Sequence, residues 1–425
     1  MAAIAALVFG SGLVAGFAVT GGLIVGAALI LPAALQAVLG FGARRARGPL
    51  AQWAWADGRQ QLGGLTLALM ALLLALAVNI GVSTMVGSFR ATFLAYLDQR
   101  LAAEVYVTLP SEAERAAVAD WLAARPEVEA VLPLRRAETA IEGWPADVQG
   151  LRDHATYRES WPLLSAAPGA WDAVAAAEGA LISEQLARRL GLGPGDALML
   201  PADAGPWTVP VVGVYPDYGN PRGQVIVSMA ALEARWSDVL GAQFAVRVEP
   251  QAAGRLIADL RAAFGLDERE AVDQAAVKAL SQAVFERTFA VTVALNALTL
   301  AVAGIALFTS LLALAGQRLV QVAPVWALGV TRRRLAAIEM GRTLGLAAGT
   351  ALIALPLGLG VAWVLSDVVN VEAFGWRIPL RLFPGDWAML FAMALGTAFL
   401  AALLPVMRLR RAAPIDLLRG FSNER

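Results

Sequence analysis

Few side chains in this sequence could carry out catalysis. The only histidine is His154, within LRDHATYRESW, and there is no cysteine. No H-E-x-x-H motif, no G-x-S-x-G motif and no cluster of carboxylates occurs, so neither a metal centre nor a covalent nucleophile is expected. A G-x-x-x-x-G-K-[ST] phosphate-binding loop is also missing, since no glycine precedes the single lysine, Lys278. We therefore predict that the chain is not an enzyme and carries no cofactor.

The side chains that stand out instead are arginines between two apolar segments. The stretch WALGVTRRRLAAIEMGR contains Arg332, Arg333, Arg334 and Arg342, and Arg318 lies just upstream. Arginines at the foot of membrane helices anchor a chain on the cytoplasmic side. The whole sequence has 34 basic and 34 acidic residues. Its net charge therefore predicts no nucleic acid or other polyanion as a partner.

The elements that must position these arginines are membrane helices. The sequence is 58% hydrophobic and 16% charged, with a mean hydropathy of +0.62. A helix needs roughly 20 apolar residues to cross a bilayer. The first charge-free run is too long for one upright span, so we expect either a hairpin that breaks near Thr20-Gly21-Gly22, giving six spans, or one tilted span, giving five. The charge-free runs are residues 1–43, 62–89, 288–317, 343–366 and 387–407.

Arginine counts in the short loops predict the orientation. Basic residues dominate residues 44–61, 318–342 and 408–425, which we place in the cytoplasm. The loop 367–386 has two arginines and three acidic residues, so we place it outside. Alternation of sides then places residues 90–287 outside as well.

Residues 90–287 have the pattern of a separate folded domain, in which short β-like runs alternate with amphipathic helices. Ser111 is the expected N-cap of the first helix, with Glu114 completing a capping box. The predicted fold class is an α-helical membrane protein with a large α+β extracytoplasmic domain inserted between transmembrane helices. Predicted strands are AEVYVTL, EAVLPL, ALMLP, WTVPVVGVY, QVIVSM and FAVRVEP, and predicted helices are SEAERAAVADWLAARP, SEQLARRLG and AAGRLIADLRAAFG.

The segment VYPDYGNPRGQ is the part of this domain most suited to a binding loop. Tyr215, Asp217, Tyr218 and Asn220 lie between two predicted strands, where they could contact a ligand or another subunit. An ordinary turn rich in proline, glycine and asparagine is the alternative.

The apolar runs contain no ionisable side chain of the kind that ion-coupled carriers use at depth. Asn79 and Asn296 are the notable polar residues there, and we expect them to form hydrogen bonds between helices. Energy for any transport must therefore come from another subunit.

The basic loop has its own local pattern. Leu319, Val322 and Trp326 form an apolar stripe that predicts a short helix lying on the membrane surface, beginning or kinking near Pro324. A left-handed residue at Gly329 would end that helix, and Thr331 would cap the next one.

Several segments resemble the FtsX-like permease family of ABC transporters. ALGVTRRRLAAIEMGR is similar to the family's cytoplasmic coupling helix, and LLPVMRLRRAAPIDLLRG to its closing pattern, through Pro405, Pro414, Leu418 and Arg419. SQAVFERTFAVTVALNALTLAVAGIALF resembles its second helix, and GALISEQLARRLGLGPGDALML an element of its outer domain. The resemblance covers residues from about 50 to 425. The apolar run before Ala43 resembles the linker of the ten-helix members, so the chain is similar to their second repeat.

The resemblance implies a permease in a bacterial inner membrane. A separate cytoplasmic ABC ATPase would bind the coupling segment and move the helices, and a second permease half, the same chain or a different one, would complete the assembly. The substrate would be a lipid, a lipoprotein or a hydrophobic compound in contact with the lipid bilayer. The implied ATPase contact comprises Pro324, Val325, Trp326, Ala327, Leu328, Gly329, Thr331, Arg332, Arg333 and Arg334.

Two other functions fit the same architecture. One is a relay that controls a cell-wall hydrolase without transport, and the other is a membrane sensor that works without an ATPase.

The chain departs from the family at two positions of the coupling helix. The family usually has a glutamate and an arginine there, where this chain has Gln321 and Trp326.

Overall fold

The computed structural model describes residues 12–109 and 111–411. Within them the chain divides into two compact units, each treated by itself below. The membrane unit comprises residues 12–89, 288–369 and 378–411, and the sheet unit comprises residues 90–287 and 370–377. Pro414, Leu418 and Arg419, which carry part of the closing sequence pattern, lie outside the described residues.

Helices dominate the membrane unit and flank the strands of the sheet unit. In chain order the helices are α1 (Leu13–Arg45), α2 (Pro49–Arg100), α3 (Arg115–Ala123), α4 (Ala155–Ser160), α5 (Ala170–Ala175), α6 (Glu184–Leu190), α7 (Met229–Arg235), α8 (Ala253–Phe264), α9 (Gln274–Ala327), α10 (Arg332–Trp363), α11 (Asn370–Phe374) and α12 (Pro384–Arg411). A π-helical segment, Val364–Val369, joins α10 to α11.

Five helices in the described residues are long and apolar enough to cross a membrane. They are α1, α2, the part of α9 from Val291 to Arg318, α10 with its extension to Phe374, and α12. Each extends beyond the charge-free run that predicted it, because a helix continues past the edge of the hydrocarbon. The membrane boundaries and the number of crossings therefore stay predictions.

The predicted break of the first apolar run near Thr20 is wrong. Residues 20–22 lie inside α1, which continues through Pro32 to Arg45. Glycine and proline break helices in water because the backbone can bond to solvent instead. In an apolar surrounding that alternative is missing, so the helix persists.

The interior of the membrane unit consists mainly of leucine and alanine. α2 contributes a buried leucine series, and α10 and α12 contribute buried alanines that recur about every fourth residue. Small residues at this spacing allow helices to approach closely. One such close approach is at Gly358 of α10, where a Cβ atom would lie 2.6 Å from Cβ of Ile80.

The described part of the sheet unit has ten strands in one sheet, in the order β10-β1-β9-β2-β3-β8-β5-β7-β4, with β6 paired to β7. The pairs β3–β8 and β5–β7 are parallel, and the other pairs are antiparallel. In chain order the strands are β1 (Val105–Thr108), β2 (Val128–Ile141), β3 (Trp144–Leu151), β4 (Ser165–Ala166), β5 (Ala180–Ser183), β6 (Ala197–Leu200), β7 (Trp207–Tyr215), β8 (Gly223–Ser228), β9 (Leu240–Val248) and β10 (Ala271–Asp273).

Helices of the sheet unit cover apolar faces of this sheet. Leu256, Ile257 and Leu260 of α8 are buried in one cluster with Val107 and Val246. The predicted α+β fold between membrane helices is confirmed. All six predicted strands and all three predicted helices correspond to elements of the structure.

Candidate functional site

The predicted ATPase contact surrounds a tight connection between α9 and α10, residues 328–331. Gly329 has a φ of 95°, and its N–H donates to the carbonyl of Trp326 at 2.9 Å. The Thr331 hydroxyl accepts a hydrogen bond from the N–H of Arg334 at 3.4 Å and caps α10. Glycine tolerates this left-handed backbone, and threonine suits an N-cap. The local roles predicted for Gly329 and Thr331 are confirmed.

The predicted short helix on the membrane surface is wrong. α9 continues through Pro324 to Ala327 as one helix. Val322 and Ala323 are buried in an apolar cluster together with Leu335 of α10. Val322 and Trp326 of the stripe that predicted contact with lipid therefore pack against neighbouring side chains instead. Pro324 removes one backbone hydrogen bond from the last turn of α9, yet the helix does not end there.

The predicted contact residues divide into an inward-facing set and an exposed set. Val325 and Trp326 are half-buried and pack against the apolar cluster. Leu328, in contrast, is 86% exposed at the tip of the connection. The connection thus presents an apolar tip beside guanidinium groups. The exposed set comprises Pro324, Ala327, Leu328, Gly329, Thr331, Arg333 and Arg334, and Arg332 is half-buried.

The helix dipole of α10 disfavours the three consecutive arginines at its start. Arg332, Arg333 and Arg334 form its first turn, which contains no acidic residue. The N-terminus of a helix carries a partial positive charge, so a cation there is disfavoured by roughly 0.3–1 kcal/mol. Their placement suits the binding of an acidic surface from outside the helix.

A four-charge cluster, which sequence reasoning missed, lies close to this connection. It consists of Asp57 on α2, Arg318 on α9, and Glu339 and Arg342 on α10. Arg318 donates from Nη1 to Asp57 at 2.8 Å and from Nε to Glu339 at 3.0 Å. Arg342 donates from Nη1 to Asp57 at 2.7 Å and from Nη2 to Glu339. Each arginine therefore contacts both carboxylates, and the charges balance.

The positive-inside count placed all four of these residues in cytoplasmic loops because it treats every charge as solvated. In the structure their side chains are between 6% and 11% exposed. A usable signal was present in the sequence. Asp57 is the only acidic residue of the predicted loop 44–61, and Glu339 is the only one of the loop 318–342.

The apolar interior of the membrane unit contains further polar contacts between α2 and α9. Asn79 Nδ2 donates to Thr299 Oγ1 at 3.0 Å, and Asn296 Nδ2 donates to Ser83 Oγ at 3.0 Å. The predicted hydrogen bonding of Asn79 and Asn296 between helices is confirmed.

The loop predicted to bind a ligand in the outer domain folds inward. Asp217 is buried and accepts hydrogen bonds from the Tyr96 hydroxyl and from Asn220 Nδ2, both at 2.8 Å. The Tyr218 ring packs edge-on against Tyr96 and Trp376, with centroids 5.3 and 5.0 Å away. The polar groups of this loop are thus used by the fold itself, and a ligand contact at these residues stays a prediction.

Tyr215 belongs to a box of aromatic rings around Arg100. The guanidinium carbon of Arg100 lies 4.3 Å from the centroid of Trp161 and 5.7 Å from that of Tyr215. Arg100 Nη2 and the Tyr215 hydroxyl both donate to Gln224 Oε1, at 2.9 and 2.8 Å. Burial raises the pKa of the Tyr215 phenol well above its ordinary value, which keeps this hydroxyl a donor. These contacts fix the end of α2 to the core of the sheet unit.

Two protein-family models match this chain, one over the sheet unit and one over the C-terminal membrane helices. The model of the MacB-like periplasmic core domain matches residues 65–263, which include most of the sheet unit. The model of the FtsX-like permease C-terminal domain matches residues 293–414, which include the connection 328–331.

One curated protein agrees with the family matches. A protein of Mycobacterium tuberculosis, described as an uncharacterized ABC transporter permease protein, is 29% identical over 390 residues. The match covers 87% of this chain and 45% of that protein, so the chain spans just under half of its length. Among solved structures, the extracellular domain of the noncanonic ABC-type transporter YknZ from Gram-positive bacteria aligns at 14% identity, covering 40% of this chain and 98% of that one. Its TM-score of 0.29 is too low to carry a structural argument.

Apolar helices with a sheet domain inserted between them, together with these matches, support the ABC transporter permease family. The chain belongs to the FtsX-like permease family and carries a MacB-like periplasmic core domain. The predicted family is confirmed.

Proposed function

We propose that this chain is a permease subunit of a bacterial inner membrane, moved by a separate cytoplasmic ABC ATPase that binds the connection 328–331. The motion passes to the sheet unit, which acts on a lipid, a lipoprotein or a hydrophobic compound outside the cytoplasm. The observation that carries the proposal is the exposed tip of Leu328, with Arg333 and Arg334 exposed beside it.

An apolar tip rimmed by cations has the composition of a protein contact. A leucine that is 86% exposed leaves apolar area for a partner to bury. Arginine is enriched among residues that dominate interface energies, because its planar group pairs with carboxylates in a fixed geometry. The matching partner surface is an apolar cleft with acidic residues at its edge.

The energy source must lie on that partner. The sequence has no phosphate-binding loop of the P-loop type. An ATPase that closes on nucleotide can push on the connection without any residue of this chain touching ATP. Two ATPase subunits would require two such connections, so we propose a second permease half, either a second copy or a different chain.

The first test removes the cations and follows the partner. Replacing Arg332, Arg333 and Arg334 together by alanine is expected to lower the amount of P-loop ATPase that co-purifies with the tagged chain at least tenfold. The expectation follows from the loss of three charges at the proposed contact. Quantitative mass spectrometry of gently solubilised membranes measures the ratio of ATPase to permease.

The matched control replaces Arg44, Arg45 and Arg47 by alanine. These three exposed arginines lie at and just after the end of α1, so the variant loses the same charge at a different place. It should retain the ATPase. If both variants lost the ATPase equally, the binding would depend on total positive charge and not on the connection 328–331. Absence of any ATPase from the unmodified chain would overturn the proposed function.

A further inference from the structure

We infer that Asp57, Arg318, Glu339 and Arg342 are positioning residues that attach α2 to both helices flanking the connection 328–331, so that a displacement of the connection is delivered to α2. This inference rests on the proposed function and names the residues through which the ATPase contact would act.

The cluster joins three helices at one level. Arg318 lies ten residues before Leu328 on α9, while Glu339 and Arg342 lie in the second and third turns of α10. Asp57 is the one member of the cluster that lies on α2, and it accepts hydrogen bonds from both arginines. The planar guanidinium groups hold their carboxylates in defined directions, which fixes orientation as well as distance. Through Asp57, α2 is tied to α9 and α10 together.

Stability alone does not explain such a cluster. Removing charges from water is costly, and an apolar replacement of similar volume is often as stable as a buried ion pair or more so. Four buried charges between three helices are therefore more consistent with a requirement for a particular arrangement.

The cluster borders two open pockets. Arg318 and Glu339 line a pocket of about 190 Å³, and Arg342 lines a second pocket of about 260 Å³. Apolar contacts between the same helices lie nearby, since Trp53 of α2 packs in one cluster with Val322 of α9 and Leu335 of α10. The charge contacts therefore act together with apolar packing in joining the three helices.

The other polar contacts of α2 with α9 lie far from this level. Asn79 is 22 residues beyond Asp57 on the same helix, which corresponds to roughly 33 Å. The four-charge cluster is thus the polar contact of α2 on the connection's side of the bundle, and Trp53 of α2 packs beside Val322 and Leu335 in an apolar cluster there. With the cluster intact, α2 moves together with α9 and α10. With Asp57 detached, the connection can shift while α2 stays in place.

Two double variants separate this role from simple charge balance. Asp57→Asn with Arg342→Gln removes one charge of each sign and keeps the Arg318–Glu339 pair, which detaches α2. Arg318→Gln with Glu339→Gln also removes one charge of each sign, but it keeps the Asp57–Arg342 pair, which leaves α2 attached to α10. Both variants keep residues 328–334 unchanged, so the proposed ATPase contact is intact in both.

The readout is the response of the sheet unit to nucleotide. The sequence has no cysteine, so Ala262→Cys in the sheet unit and Asp386→Cys in the membrane unit give two unique sites for spin labels on this chain. Both positions are exposed. Distance distributions between the labels are measured by pulsed electron resonance on the full complex co-purified with its ATPase, with and without ATP and vanadate. A preparation of the cysteine-free chain supplies the background from labels on the ATPase.

We expect the distance to shift on addition of ATP and vanadate in the unmodified chain and in Arg318→Gln/Glu339→Gln. In Asp57→Asn/Arg342→Gln the ATPase should still co-purify, but the shift should be lost. A shift of normal size in that variant, or equal loss in both double variants, overturns the inference. If Asp57→Asn/Arg342→Gln does not fold, Asp57→Leu/Arg342→Met replaces it with apolar groups and is read in the same way. Failure of the unmodified chain to bring down an ATPase would overturn the proposed function itself.

Discussion

Replacing Asp57 by asparagine is expected to destabilise the helix bundle by about 3–5 kcal/mol, because the change removes one partner of a buried charge cluster and leaves the others uncompensated. Arg318 and Arg342 would then share one carboxylate, Glu339, and the buried region would carry a net positive charge. Titration of the purified chain with sodium dodecyl sulfate, followed by far-ultraviolet circular dichroism, gives the free energy of unfolding.

The matched control for this variant is on the same helix. Asp98 of α2 pairs with Lys278 at 2.7 Å, but its side chain is 67% exposed. Surface pairs contribute roughly 0–1 kcal/mol, so Asp98→Asn should change the unfolding free energy little. Adding Arg342→Gln to Asp57→Asn restores charge balance and should recover part of the loss. Equal effects of Asp57→Asn and Asp98→Asn would mean that the cluster is solvated and holds nothing together.

Replacing Gly358 by leucine is expected to destabilise the membrane unit by about 3 kcal/mol or more, because overpacking a site with no room forces helices apart. A Cβ atom at Gly358 would lie 2.6 Å from Cβ of Ile80 and 2.9 Å from the carbonyl oxygen of Ala77. Since the carbonyl oxygen belongs to the backbone of α2, no rotamer change relieves the contact. The same detergent titration measures the effect.

Gly360 provides the control two residues away on α10. A Cβ atom there meets nothing within 4 Å. Gly360→Leu makes the same change in volume and in helix propensity, so it should be tolerated. If Gly358→Leu were as stable as Gly360→Leu, the close crossing of α2 and α10 would be wrong.

The sequence could predict those elements whose pattern is local. WTVPVVGVY predicts a strand and is found as Trp207–Tyr215. The strand Trp144–Leu151 was missed because Pro145, Asp147 and Gln149 interrupt its apolar pattern. Asp147 is nevertheless buried, where Arg222 approaches it at 3.1 Å. A partner this distant in the sequence gives no local signal.

In the candidate site, too, features set by neighbouring residues could be predicted, and features set by distant residues could not. The ends of the helices at Gly329 and Thr331 could be predicted, because capping depends on residues within one turn. The inward fold of the loop around Asp217 could not, because its partner Tyr96 is 121 residues away. Turn composition predicts where the chain reverses, but it does not predict which side the polar groups face.

The four-charge cluster is the clearest case of a site without a local pattern. Asp57 and Arg318 are 261 residues apart and meet only after three helices have packed together. Counting charges in predicted loops treats such residues as exposed to solvent, because the count ignores contacts between helices. Single acidic residues within basic loops are the sequence feature worth testing for buried pairs in other membrane proteins.

A photo-cross-linking amino acid at Leu328, introduced in living cells, tests whether an ABC ATPase binds the connection 328–331 as we propose. Leu328 is exposed, so the substitution leaves the fold intact. Leu382, which is 61% exposed in the predicted outer loop 367–386, is the control position. We expect a cross-link from position 328 to a P-loop ATPase, identified by mass spectrometry, and none from position 382. Cross-links from position 328 to other proteins only, or to an ATPase from both positions alike, would contradict it.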